Sequence, residues 1–190
     1  MKKKKLTAKM TTLLLLTSVS GLVSHALAEE QEPSTELERF EASVGDVLVK
    51  GFQEVGALSC LYGTKGSVSA VVLDNPTTGD RLKGLKIEAK GNGQYDSSKT
   101  SFVDFSEIDS LISGINYIET MKADSTPLAS LEATYTTEGG LVITKFTRGE
   151  KLSDAITVGK YSSENCFLRE GGMSLAKQTF IDAKVVLEGL

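Results

Sequence analysis

Four groups of residues in this chain are of types that do chemistry. Ser174-Leu175-Ala176-Lys177 has the S-x-x-K spacing, in which a lysine one helical turn after a serine lies close enough to take its proton. Asp104, Glu107 and Asp109 place three carboxylates close together, a set that could hold a hard cation or act as an acid and base pair. Cys60 and Cys166 are the two thiols. Gly91-Asn92-Gly93-Gln94-Tyr95-Asp96 begins like a glycine loop that cradles phosphate.

Each group meets a simpler explanation. The S-x-x-K pattern belongs to serine enzymes related to β-lactamases and penicillin-binding proteins, whose S-D-N and K-T-G elements come later in the chain. Only 13 residues follow Lys177, which leaves no room for them, and Lys177 reads equally as a solvated residue of a final helix. An EF-hand calcium loop needs acids at alternate positions followed by Gly, but Phe105, Ser106 and Ile108 interrupt the run. Acids at a helix start are expected from the helix dipole alone. The glycine loop ends in Asp96 and opens no helix, and G-x-x-x-x-G-K-[ST] is absent. No catalytic, cofactor-binding or metal residue is therefore assigned.

The amino terminus changes the composition. Residues 1–28 run from Lys2, Lys3, Lys4, Lys5 and Lys9 through an apolar stretch at Leu13 to Leu16 to Ala26-Leu27-Ala28. That order predicts a cleavable secretory signal peptide of bacterial type, with Ala26 and Ala28 marking the cleavage site. Thr17, Ser18, Ser20, Gly21, Ser24 and His25 interrupt the apolar stretch, so it falls short of the ~20 apolar residues of a membrane span. Five of the 21 Lys and Arg lie in this segment and none of the 25 Asp and Glu, so cleavage leaves sixteen bases against 25 acids, a formal charge of −9. The single histidine, His25, leaves too, which excludes Ser-His-Asp and Cys-His nucleophiles and the usual zinc sites. In a periplasmic or extracellular protein, Cys60 and Cys166 would form a disulfide across 106 positions or remain two buried thiols.

The elements that position these residues follow from periodicity. Residues 29–43 form an acidic lead expected to be disordered. Strand-like runs cover Val44 to Val55, Leu58 to Tyr62 after Gly56, Ser67 to Leu73, Leu85 to Lys90 and Ser101 to Phe105. Ile108, Leu111, Ile112, Ile115 and Ile118 then form one stripe of an amphipathic helix, with Ser106 as its expected N-cap. Strands at Leu128 to Thr136, Leu141 to Thr147, Ala155 to Tyr161 and Cys166 to Leu168 precede a second helix from Met173, apolar at Ala176, Phe180, Ala183, Val186, Leu187 and Leu190. The result is one globular domain, 44–190, of α+β class. Its antiparallel sheets and two amphipathic helices make a duplicated order of strands and helix, with halves at about 44–123 and 128–190.

This ββββα-ββββα order is similar to that of Whirly and PUR-alpha type domains, which bind single-stranded nucleic acid. The resemblance is one of order and covers no binding residue. A charge of −9 with scattered lysines and arginines opposes nucleic acid. The expected function is a non-catalytic binding or interaction module, exported to the periplasm or outside the cell. It has no cofactor and no membrane span after signal cleavage, and its partner is a protein or small ligand. The alternatives are a His-independent hydrolase using Ser174 and Lys177 or the Asp104, Glu107 and Asp109 carboxylates, and a structural component of an envelope assembly.

Overall fold

The alternation of Leu85, Ile87 and Ala89 with Lys86 and Glu88 buries one face of a strand, and Lys86 and Glu88 pair at 3.1 Å on the other face. In the computed structural model, which describes residues 32–93 and 98–190, this strand belongs to the first of two sheets. β1 (Val49–Leu58), β2 (Lys65–Asp74), β3 (Arg81–Lys90) and β4 (Lys99–Asp104) pair antiparallel in chain order. A short helix, α1 (Glu36–Glu41), precedes them, and α2 (Ile108–Glu119) follows. The second sheet is β5 (Glu132–Thr136), β6 (Val142–Arg148), β7 (Lys151–Val158) and β8 (Glu164–Phe167), again antiparallel in chain order, and α3 (Gly172–Glu188) closes the chain. The fold is α+β with a duplicated order of four strands and a helix. The expected signal peptide, with Ala26 and Ala28, lies outside the described residues, as do Gln94, Tyr95 and Asp96 of the glycine loop.

Each long helix packs across to the other half. The stripe Ile108, Leu111, Ile115 and Ile118 of α2 is buried, and α2 lies on β5 and β6; α3 buries Met173, Ala176, Phe180, Ala183 and Leu187 and lies on β1, β2 and β3. Leu190, expected on that apolar face, lies beyond the helix end and is exposed. One continuous core results, running from Val68 and Ile87 of the first sheet to Ile143 and Ile156 of the second. The halves are therefore interlocked. Other contacts pin them: the Gly159 amide donates to Ser101 Oγ at 2.8 Å, and a Cβ on Gly139 would stand 2.0 Å from the Phe102 carbonyl oxygen.

Three local expectations are corrected. Gly56 does not separate two strands. β1 runs through it, with a register slip between Glu54 and Gly56, and the missing side chain lets Thr179 of α3 approach to 3.0 Å of where a Cβ would be. Ser106 is not an N-cap but sits in a 3-10 turn, Phe105–Glu107, ahead of α2. The run from Leu128 becomes strand only at Glu132.

The acidic lead is the larger correction, since residues 36–41 of the stretch 29–43 form α1. Thr35 Oγ1 accepts from the Glu38 amide at 3.0 Å, and the Glu38 carboxylate accepts from the amides of Ser34 and Thr35, which makes a complete capping box. Leu37 is fully buried with Val71 and Leu73, against Phe40, Leu82 and Phe102. Gly84 opens the space: a Cβ there would lie 2.4 Å from Leu37 Cδ1. Composition missed this helix because one leucine, one cap and a distant glycine outweigh the polar residues around them.

Candidate functional site

The structure separates the three carboxylates and gives each its own partner. Asp104 ends β4, is buried, and accepts from the amides of Glu36 (2.7 Å) and Leu37 (3.0 Å), so it caps α1 from 67 positions away. Together Asp104 and Thr35 satisfy the first three amides of that helix. Glu107 Oε1 accepts from the Glu138 amide at 3.0 Å, which anchors the turn between β5 and β6. Its carboxyl is raised from the ordinary value, first by burial and further by the charges of Glu138 and Asp104, against the lowering effect of that hydrogen bond. Asp109 Oδ1 accepts from Lys184 Nζ at 2.6 Å, a tie between α2 and α3. No group of three His, Cys, Asp or Glu side chains able to hold a metal occurs among the described residues.

Losing the Asp104 cap is expected to free α1. Asp104→Ala leaves two helix-start amides unpaired, that of Leu37 buried and that of Glu36 half-buried, a cost of about 1–3 kcal/mol, and the segment 32–43 should become the first site cut in limited proteolysis. Undiminished resistance there would show that Leu37 holds the helix without the cap.

Ser174 and Lys177 also acquire a shared partner. Ser174 Oγ donates to Glu119 Oε1 at 2.6 Å, Lys177 Nζ pairs with Glu119 Oε2, and Lys177 Nζ also donates to Asn116 Oδ1 at 3.1 Å. The pattern S-x-x-K thus joins the first turns of α3 to the last turn of α2. Burial pushes the Glu119 carboxyl up, but the hydrogen bonds from Lys177 and Ser174 and the charges of Lys177 and Lys145 outweigh it, and the net value lies below the usual carboxylate range. The Lys177 amine is engaged by Glu119 and Asn116 rather than by Ser174, and the serine hydroxyl is already donated to Glu119.

A lowered carboxylate contributes stability that is complete above its unfolded value, ~4.3, and is lost as pH falls through the folded value. Glu119→Gln is accordingly expected to cost about 0.5–1 kcal/mol at neutral pH and nothing once the wild-type carboxyl is protonated. Urea midpoints at neutral and strongly acidic pH measure the difference, and an equal cost at both would contradict the ion-pair account.

Cys60 and Cys166 form a disulfide, their Cα atoms 5.0 Å apart, and both residues are buried. It lies at the seam between the sheets, where the Leu61 amide donates to the Phe167 carbonyl (2.7 Å) and the Arg169 amide to the Ser59 carbonyl (3.0 Å). Tyr62, just past the seam, has a left-handed φ of 58°. Its carbonyl accepts from Asn92 Nδ2 at 2.8 Å, its hydroxyl accepts from Arg148 at 2.7 Å, and its ring meets Phe167 edge-on. The bridge is compatible with an oxidising, exported location.

One surface was not singled out by residue type. β1 is an edge strand, paired on one side with β2 alone, and every residue from Val49 to Glu54 is exposed. Phe52 is 77% exposed, and Val44 and Val47 just before the strand are exposed as well. Among the described residues, no backbone bond leaves the outer edge of β1 between Val49 and Ala57. Beside it lies a cavity of about 350 Å³, bounded by Gly51, Gln53, Ala70 and Val72 of the sheet and by Val186 and Leu190. By contrast β5, the corresponding edge of the second sheet, is five residues long and turns Glu132, Thr134 and Thr136 outward. The sequence signal for β1 was the apolar pair Val49 and Phe52 set at odd spacing, so that neither face is clean.

Among the described residues no helix is long and apolar enough to cross a membrane. No protein-family model, curated protein or solved structure matches the chain.

Proposed function

We propose that this protein is an exported, non-catalytic interaction module of the periplasm or cell exterior, and that it binds by pairing an extended segment along β1. The observation that carries the reading is the β1 edge, exposed on both faces from Val49 to Glu54 with its outer backbone groups unpaired among the described residues. An added strand gains main-chain hydrogen bonds, and alternate side chains of that strand reach the apolar groove by Val186 and Leu190. The disulfide supports an oxidising location, and the residues first considered for hydrolysis are occupied in ties between helices and sheets.

The test is a photocrosslinking amino acid placed at Gln53 in the intact protein in its own cell, with Glu132 on β5 as the control position. Crosslinked products at 53 and not at 132 are expected. Equal or absent crosslinking at the two positions would overturn the reading. So would fluorophosphonate labelling of Ser174, which would restore the hydrolase.

A further inference from the structure

We infer that the strand β1 receives is β1 of a second copy of this chain, paired antiparallel about a two-fold axis at Phe52. The inference rests on the reading of β1 as a binding edge and names its partner. Backbone groups of a strand point outward at every second residue, so a strand pairs with its own copy only in registers that match residues of like parity. The register slip after Glu54 limits regular pairing to Val49–Glu54. Within that segment Lys50 and Glu54 are the only charged residues, and they stand symmetrically about Phe52.

Centring the pair on Phe52 therefore sets Lys50 opposite the partner's Glu54 twice, and Phe52 against the partner's Phe52. All three side chains lie on one face of β1, as the pairings Lys50 with Leu73, Phe52 with Val71 and Glu54 with Ser69 show. Moving the axis to Gly51 would set Lys50 against the partner's Phe52 and leave Glu54 without a charge partner. Opposite charges and aromatic pairs directly across strands stabilise a sheet, whereas like charges there destabilise it. The Glu54 carboxylate makes no hydrogen bond or ion pair among the described residues, so its charge is available. Lys50 contacts Glu41 at the end of α1, on the same side of the sheet. The outcome is one continuous sheet of eight strands, with the exposed Phe52 of each copy covered by the other.

Sedimentation velocity on the intact protein tests this through charge reversal. The wild type is expected to dimerise reversibly. Lys50→Glu and Glu54→Lys should each weaken dimerisation about tenfold, and the double variant carrying both should restore it, since the pair is then inverted rather than lost. Glu41→Gln, which frees Lys50 from its contact within the chain, should not weaken dimerisation. The three positions, Lys50, Glu54 and Glu41, are exposed or half-exposed, and circular dichroism melts confirm that each of the four variants folds.

A wild type that stays monomeric at its highest soluble concentration would overturn the inference, as would a dimer that the double variant fails to restore. The Gln53 crosslink keeps the two readings apart. Crosslinked products of some other mass, with a monomeric protein, would retain the binding edge and reject the second copy, while no product at all would reject both.

Discussion

Replacing Cys60 and Cys166 together by Ser is expected to cost roughly 4–5 kcal/mol of stability, because the bridge closes a loop of 106 positions and that much chain entropy returns to the unfolded state. A domain is typically stable by about 5–15 kcal/mol, so the loss removes a large part of the total. The melting temperature should fall by roughly 10–20 °C. Local structure adds to the effect. The bridge lies beside a backbone pairing between the sheets at Ser59, Leu61, Phe167 and Arg169, so its loss weakens that seam as well. Urea unfolding with and without reductant makes the measurement on the unaltered chain. If reduction leaves the midpoint in place, the thiols are unpaired in solution and the bridge contributes nothing.

Phe180→Ala is expected to cost about 3–5 kcal/mol, the range for removing a buried aromatic ring from a packed core. Phe180 is fully buried in α3 and belongs to the cluster shared by both sheets. The informative part is how the loss is distributed. Since α3 of the second half covers the sheet of the first, and α2 does the converse, the cavity should weaken both sheets together. Native-state hydrogen exchange should then show amides of β3 and of β6 losing protection by the same free energy. Protection lost only in the first sheet would mean that the halves unfold separately, against the interlocked arrangement.

Much of the architecture was legible from period alone. The alternation of Leu85, Ile87 and Ala89 and the stripe of Ile108, Leu111, Ile115 and Ile118 reappear as a half-buried strand and a buried helix face, because burial of one face is a local property of spacing. Leu37 was not legible. Its burial depends on Gly84 leaving room and on Asp104 capping the helix, and those residues are 47 and 67 positions away. The same holds for Ser174 and Lys177, whose spacing suggested a nucleophile and its base until Glu119, on another helix, was found between them. Carboxylates close in sequence at Asp104, Glu107 and Asp109 point to three different places, since a strand end, a 3-10 turn and a helix turn direct successive side chains apart.

Sequence by itself determined the class of the fold, the order of strands and helices, and the absence of imidazole from every residue after His25, since these depend on composition and on neighbours a few positions apart. Tertiary structure alone decided that Cys60 and Cys166 meet, that each helix covers the opposite sheet, and that β1 is left as an open edge. Those outcomes depend on which distant surfaces bury each other, and side-chain spacing along a strand or helix carries no record of what lies across from it.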